Sequence, residues 1–197
     1  MTRFQSIQKR AFDLVFAGVG LLLLGWLILL AAVISHLDTG RNGFFLQDRV
    51  GKDGRLFKII KIRSMRRMEG YYTDVTTDDD PRVTKIGRFW RKTKIDELPQ
   101  LWNVFKGDMS FVGPRPDISG FADCLKGRDR LLLSVRPGIT GPATLKFKDE
   151  EQILARQPDP EKYNREIIWP EKVRLNLEYI DRYTLWNDLK YIFKTIH

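Results

Sequence analysis

Histidine and cysteine are nearly absent from this chain: His36 and His197 are the only imidazoles and Cys124 the only thiol. One cysteine excludes an intrachain disulfide, and two histidines exclude a zinc site or a His-based catalytic set. No Walker A loop, dinucleotide fingerprint or internal repeat is present. Proline is missing from Met1 to Asp80. Chemistry in this chain must therefore run on carboxylates and cations. Cations are in surplus, with 34 Lys+Arg against 25 Asp+Glu and a formal charge of +9. Such a surplus favours polyanionic partners: nucleic acid, anionic headgroups or phosphorylated substrates. Aromatics make up 12% with five Trp, which suits a membrane interface at least as well as RNA. No RNA-binding signature accompanies them, so nucleic acid is not expected as a partner.

Charge is absent altogether from residues 14–34, "LVFAGVGLLLLGWLILLAAVI". As a helix this run extends roughly 30 Å, the thickness of a bilayer's hydrocarbon core. It is long for a signal peptide and no clear small-x-small cleavage site follows. Arg3, Lys9 and Arg10 flank one side, and Arg41, Arg49, Lys52, Arg55 and Lys58 the other. The positive-inside tendency would keep both flanks in the cytoplasm, which a helix entering and returning on one face satisfies. Gly18, Gly20 and Gly25 are places for a bend, the last being deepest. Asp13 lies one turn from Lys9 and Arg10, which would neutralise it at the interface. The residues alone leave a re-entrant helix and a spanning helix both open.

Further on, two β-prone runs in residues 44–65 flank a turn containing Asp53-Gly54, a hairpin signal. The acid run Asp78–Asp80 reads as a solvated turn ahead of Pro81 rather than a metal site. Ile86, Phe89 and Trp90 recur at helical spacing among Lys85, Arg88, Arg91, Lys92 and Lys94. That pattern fits a helix on an anionic membrane surface, or one covering a core. Trp186, Leu189, Phe193 and Ile196 form a second such face. "RQPDPEKYNREIIWPEK" between them reads as a proline-punctuated connection.

The segment "FWRKTKIDELPQLWNVFKGDMSFVGPRP" combines an acid pair, cations and a stiff turn. Leu98, Leu101, Trp102 and Phe105 give a one-faced helix, Pro99 fits only its first turn, and Gly107 stops it. Asp96 and Glu97 then sit at its N-terminus, where unpaired N–H groups favour negative charge. Arg91, Lys92 and Lys94 should lower the carboxyl pKa further. The pair is either an N-cap, or an ionised carboxylate able to attack phosphorus or to hold Mg²⁺ against a diphosphate. Arg115, between two prolines, is suited to a fork contact with phosphate oxygens.

Three blocks carry a resemblance: "RVGKDGRLFKIIKIRSM", "DPRVTKIGRFWRKTKIDELPQLWNVFKGDMSFVGPRP" and "RPGITGPA". Together they resemble the bacterial sugar transferases, the monotopic phosphoglycosyl transferases, and within them the short PglC-like branch. The resemblance runs from residue 9 to residue 196. It implies transfer of a sugar phosphate from a UDP-sugar to polyprenol (undecaprenyl) phosphate with release of UMP. It also implies Mg²⁺ and a covalent intermediate on Asp96, with Glu97 helping to hold the metal. Lys61, Arg91 and Arg115 take the phosphate-binding positions; Pro137 and Gly138, in "PGITG", border the nucleotide. The implied fold is a small α+β membrane-associated domain. Residues 1–38 form a re-entrant membrane helix, and residues 39–197 a catalytic domain with amphipathic interfacial helices and a short β-hairpin. Such an enzyme works at the cytoplasmic face of the bacterial inner membrane. Relatives broken at a Ser-Pro pair differ from this chain, whose corresponding place is Gly25-Trp26; the larger relatives add a multi-helix membrane domain for which this chain has no room. The nearest alternative enzyme is a membrane-anchored phosphohydrolase with an aspartyl intermediate.

Overall fold

The protein is described from a computed structural model, in which residues 1–68 and 80–196 are described. Helix α1 spans Arg3–Thr39 without interruption, about 55 Å at 1.5 Å per residue. A capping box starts it: the Thr2 hydroxyl accepts from the Gln5 amide, and the Gln5 side chain accepts from the Thr2 amide. Gly40 ends it in the left-handed conformation at φ 69°. The break expected near Gly25 is not there. Glycine in a helix costs only about 1 kcal/mol, and no proline removes a backbone donor.

Buried residues of α1 recur as Lys9, Asp13, Ala17, Ile28, Ala31, Ala32 and Ser35, a single stripe along its length. That stripe faces the rest of the chain. Gly18 and Gly20, expected as bend points, are instead contact positions: a Cβ on Gly20 would lie 3.2 Å from Leu101 Cδ1, and one on Gly18 3.6 Å from Phe105. The opposite face is bare and apolar, with Leu22 85% and Trp26 65% exposed.

Strands β1 (Phe44–Val50) and β2 (Leu56–Ile62) form the expected hairpin, in register from Phe44–Ile62 to Val50–Leu56. Its turn uses positive φ at Asp53 and Gly54, as Asp-Gly permits. Helices α2 (Lys85–Thr93) and α3 (Gln100–Lys106) follow. Ile28, Ala31, Ala32, Ile62 and Trp90 make one core where α1, β2 and α2 meet. Trp90 is therefore interior, its indole N–H donating to Ser35 Oγ at 3.1 Å, as the core-covering alternative for this helix requires. Phe89 remains outside at 54% exposure. Helix α3 is likewise two-sided: Leu101 and Val104 are buried, whereas Trp102 and Phe105 face outward.

Strands β3 (Ser110–Val112) and β4 (Gly138–Thr140) pair in parallel. Helices α4 (Pro142–Lys146), α5 (Glu150–Ala155), α6 (Pro160–Tyr163), α7 (Trp169–Asp181) and α8 (Leu185–Ile196) complete the chain. The expected proline-rich connection is largely helical. Pro160 and Pro170 each sit in a helix's first turn, where the missing N–H is no loss, and a π-turn at Asn164–Ile168 joins α6 to α7.

Both ends of α1 are bonded to this domain. Near the N-terminus, buried Lys9 pairs with Asp188 of α8, which also accepts from the Tyr179 hydroxyl at 2.7 Å. Asp13 does not pair with Lys9 as expected. Its Oδ1 accepts from Ser110 Oγ at 3.0 Å and the Phe111 amide at 3.1 Å, because β3 packs directly over it. Near the C-terminus, Ser35 holds Trp90, and the Asp38 carboxylate pairs with Arg66 at 3.1 Å.

Candidate active site

Helices α2 and α3 are separated by one 3₁₀ turn, Ile95–Glu97, and that turn carries the acid pair. Lys94 precedes it in the left-handed conformation at φ 59°, an arrangement that costs a non-glycine residue roughly 1–2 kcal/mol. The reversal brings the end of α2 over the start of α3. Asp96 is 7% exposed. It makes no capping bond, and its Oδ1 is buried with no hydrogen-bond partner. The N-cap reading of this residue therefore fails.

Glu97 is bound differently. Its Oε1 accepts from Lys61 Nζ at 3.1 Å and lies 3.5 Å from Arg115 Nη2. Lys61 comes from β2 and Arg115 from the Gly-Pro-Arg-Pro turn, so residues from two distant places in the sequence converge on one carboxylate. Burial opposes its ionisation, but Lys61, Arg115 and Lys94 outweigh burial and hold it at about 2. Asp96 moves the other way. Burial and then the charge of Glu97 raise its pKa, against the pull of Lys61, Lys94 and Arg91. The expectation that the neighbouring cations would lower it is thus reversed at Asp96, because desolvation wins there.

The Arg115 turn is fixed from behind. The Gly113 amide donates to Thr140 O at 2.9 Å, and the Gly138 amide to Pro114 O at 2.8 Å. A Cβ on Gly138 would lie 2.1 Å from the Gly113 nitrogen, so the two blocks interlock only because both positions are glycine. Pro137 lines a small cleft together with Pro114, Arg115, Pro116 and Asp117. Pro137 and Gly138 thus stand directly behind the arginine. Arg91, on α2, makes no ion pair among the described residues; its charge bears on Asp96 and Asp80.

A chain-wide comparison names the scaffold. The family described as bacterial sugar transferase matches residues 4–197. The chain belongs to the bacterial sugar transferase family. It is 37% identical over 196 residues to the UDP-glucose:undecaprenyl-phosphate glucose-1-phosphate transferase of Escherichia coli K12, covering 96% of this chain and 39% of that one. It is 37% identical to the UDP-N-acetylgalactosamine-undecaprenyl-phosphate N-acetylgalactosaminephosphotransferase of Aeromonas hydrophila, covering 95% and 42%. A Caulobacter vibrioides protein named like that of E. coli is 36% identical, covering 97% and 69%. The chain thus spans about two fifths of the length of the first two relatives.

Two features of this family member escaped the sequence. Asp117, directly after the Gly-Pro-Arg-Pro turn, lies among Lys172, Arg49, Arg115 and Glu150; burial pushes its carboxyl up to about 6 despite the three cations. Its position after "GPRP" was the only signal. The second is Asp80. Asp78 and Asp79 lie outside the described residues, but Asp80 is no solvated turn residue: it is 5% exposed and takes both Nε and Nη2 of Arg82, the latter at 2.7 Å. Among the described residues, no group of three or more His, Cys, Asp or Glu side chains forms a metal cage.

Proposed function

We propose that this protein transfers a sugar 1-phosphate from a UDP-sugar to undecaprenyl phosphate and releases UMP, with Asp96 as nucleophile. The observation that carries the reading is the pairing of a buried carboxylate with a bare Oδ1 and an adjacent carboxylate clamped by Lys61 and Arg115. The clamp fixes two cations beside a nucleophile that must approach a negatively charged phosphorus. Relatives whose names specify UDP-sugar and undecaprenyl phosphate support the donor and acceptor classes. Those names differ in the sugar, so the sugar is a matter for a donor panel.

In the first half-reaction an oxygen of Asp96 bonds to the sugar-linked phosphorus. The bond from that phosphorus to the UMP phosphate oxygen breaks, and the electron pair leaves on UMP. In the second, an oxygen of undecaprenyl phosphate attacks the same phosphorus and the pair returns to the Asp96 carboxylate. Arg115, half exposed and rigidly mounted, binds the donor's phosphate oxygens as a planar fork, with Arg91 approaching from α2. Lys61 holds Glu97 in place. Both cations sit on Glu97 Oε1, so Glu97 Oε2 is the donor that would hold Mg²⁺. One or two carboxylates plus substrate phosphates are the usual protein share of a magnesium site, and the ion would neutralise charge on the diphosphate.

The membrane arrangement belongs to the same reading. Among the described residues one helix, Arg3–Thr39, is long and apolar enough to cross a bilayer. Its two ends are bonded to one domain through Lys9–Asp188 and Ser35–Trp90, which supports both ends of the unbroken α1 lying on the cytoplasmic side. Its outer face, with Trp102, Phe105, Trp186 and Phe193, then faces lipid.

The deciding experiment incubates the full chain with a UDP-sugar labelled in the sugar, with and without undecaprenyl phosphate. Wild type should carry label on Asp96 without acceptor and pass it to lipid when acceptor is added. Asp96→Asn should do neither. Free sugar phosphate released to water at the same rate without acceptor would instead identify a phosphohydrolase.

A further inference from the structure

Gln100 plays no part in the mechanism above, yet it is the first residue of α3, four positions beyond Asp96 in the turn that leads into that helix. It is 2% exposed, and its amide nitrogen has no hydrogen-bond acceptor. Leaving a buried amide unpaired costs about 1–3 kcal/mol, and interiors seldom tolerate it. Asn103, one turn further, shows what this face looks at. Its Oδ1 accepts from the Ile60 amide at 3.1 Å and its Nδ2 donates to Lys58 O at 2.8 Å. The face therefore lies on the edge of β2, next to the residue that clamps Glu97. Asp96 Oδ1 is the other buried polar atom here with no partner. A buried unpaired donor and a buried unpaired acceptor thus lie four residues apart where the acid-pair turn enters α3. They do not bond each other, and one bridging water would satisfy both.

We propose that Gln100 is a positioning residue for the nucleophile, its Nε2–H donating through one bridging water to Asp96 Oδ1. This rests on Asp96 carrying the phosphosugar. Oδ2, the oxygen not sealed off in this way, bonds to phosphorus during loading as the phosphorus–UMP bond breaks. Oδ1 then becomes the carbonyl oxygen of the acyl phosphate. On discharge the Oδ2–phosphorus bond breaks as the polyprenol phosphate oxygen bonds to phosphorus, and negative charge returns to both carboxylate oxygens. Hydrogen bonds to a carboxylate are roughly twice as strong as those to a neutral carbonyl. The Gln100 bridge therefore favours the free carboxylate over the adduct, speeds discharge and keeps the intermediate from accumulating.

Full-length wild type, Gln100→Met and Gln100→Leu are compared in detergent, without acceptor, at a fixed ratio of UMP to labelled UDP-sugar. Both variants keep the side-chain volume and remove the donor; methionine adapts best to the existing space. The expected result is a rise of about tenfold in the ratio of labelled to free protein. Discharge on adding undecaprenyl phosphate should slow by a similar factor, with loading affected less. A merely structural glutamine would lower activity through stability and leave that ratio where it was. An unchanged ratio and discharge rate in either variant, at wild-type melting temperature, overturns the assignment. Active wild type that never carries label overturns the Asp96 reading itself, and this inference with it.

Discussion

Replacing Lys61 by methionine removes the nearer cation on Glu97 and keeps most of the side-chain stem. The Glu97 carboxyl is held at about 2 against an ordinary 4.5. That depression amounts to ~3 kcal/mol in favour of the ionised form. Lys61 is its largest favourable cause and also its hydrogen-bond donor. Part of the gain is offset, because burial disfavours the Lys61 ammonium as well. The net coupling of such a pair is then about 1–2 kcal/mol. Lys61→Met leaves Glu97 with Arg115 as its one contacting cation and Lys94 further off, and Glu97→Gln leaves Lys61 beside Arg115 uncompensated. Removing both should therefore cost less than the two singles together. For a chain of this length, thermal unfolding at pH 7 should register each kcal/mol as about 2–4 °C. A carboxyl with a lowered pKa stabilises the fold above its ordinary value and loses that contribution as pH falls through about 2. The Lys61→Met deficit should thus persist to pH 5 and narrow only in stronger acid. Additivity of the two singles within about 0.5 kcal/mol would refute the clamp.

Asp117 has the opposite sign. Its carboxyl sits at about 6 in the folded chain against 3.8 ordinarily, so the folded state binds the proton more tightly. Ionisation then costs stability progressively between those values and fully above 6, and Asp117→Asn should stabilise the protein by about 1–3 kcal/mol at pH 7.5 but not at pH 3.5. Gly138→Ala places a Cβ 2.1 Å from the Gly113 nitrogen. It should separate β3 from β4 and abolish turnover by displacing Arg115, which donor-binding measurements would register. For topology, Gln8→Cys and Arg41→Cys, each in a Cys124→Ser background, should both be shielded from a membrane-impermeant thiol reagent in intact cells. Labelling of Gln8→Cys alone would mean that α1 spans.

What the sequence determined by itself was local. The Asp53-Gly54 hairpin, the Pro99 helix start, the Gly107 stop and the acid pair before α3 all follow from turn chemistry or spacings of three and four residues. The blocks around Asp96, Glu97 and Arg115 were legible as a family pattern for the same reason, being contiguous in the chain. Only tertiary structure decided which side of each element is inside. Trp90 and Phe89 are adjacent and equally apolar, but α1 covers one and not the other. Asp13 has two cations within a turn, yet β3 supplies better donors across 97 residues of sequence. Most consequentially, Asp96 and Glu97 are neighbours in one cationic segment and are shifted in opposite directions. Desolvation depends on distant segments that close over a side chain, and the cations that offset it arrive from β2 and the Gly-Pro-Arg-Pro turn. Neither quantity can be read from spacing along the chain.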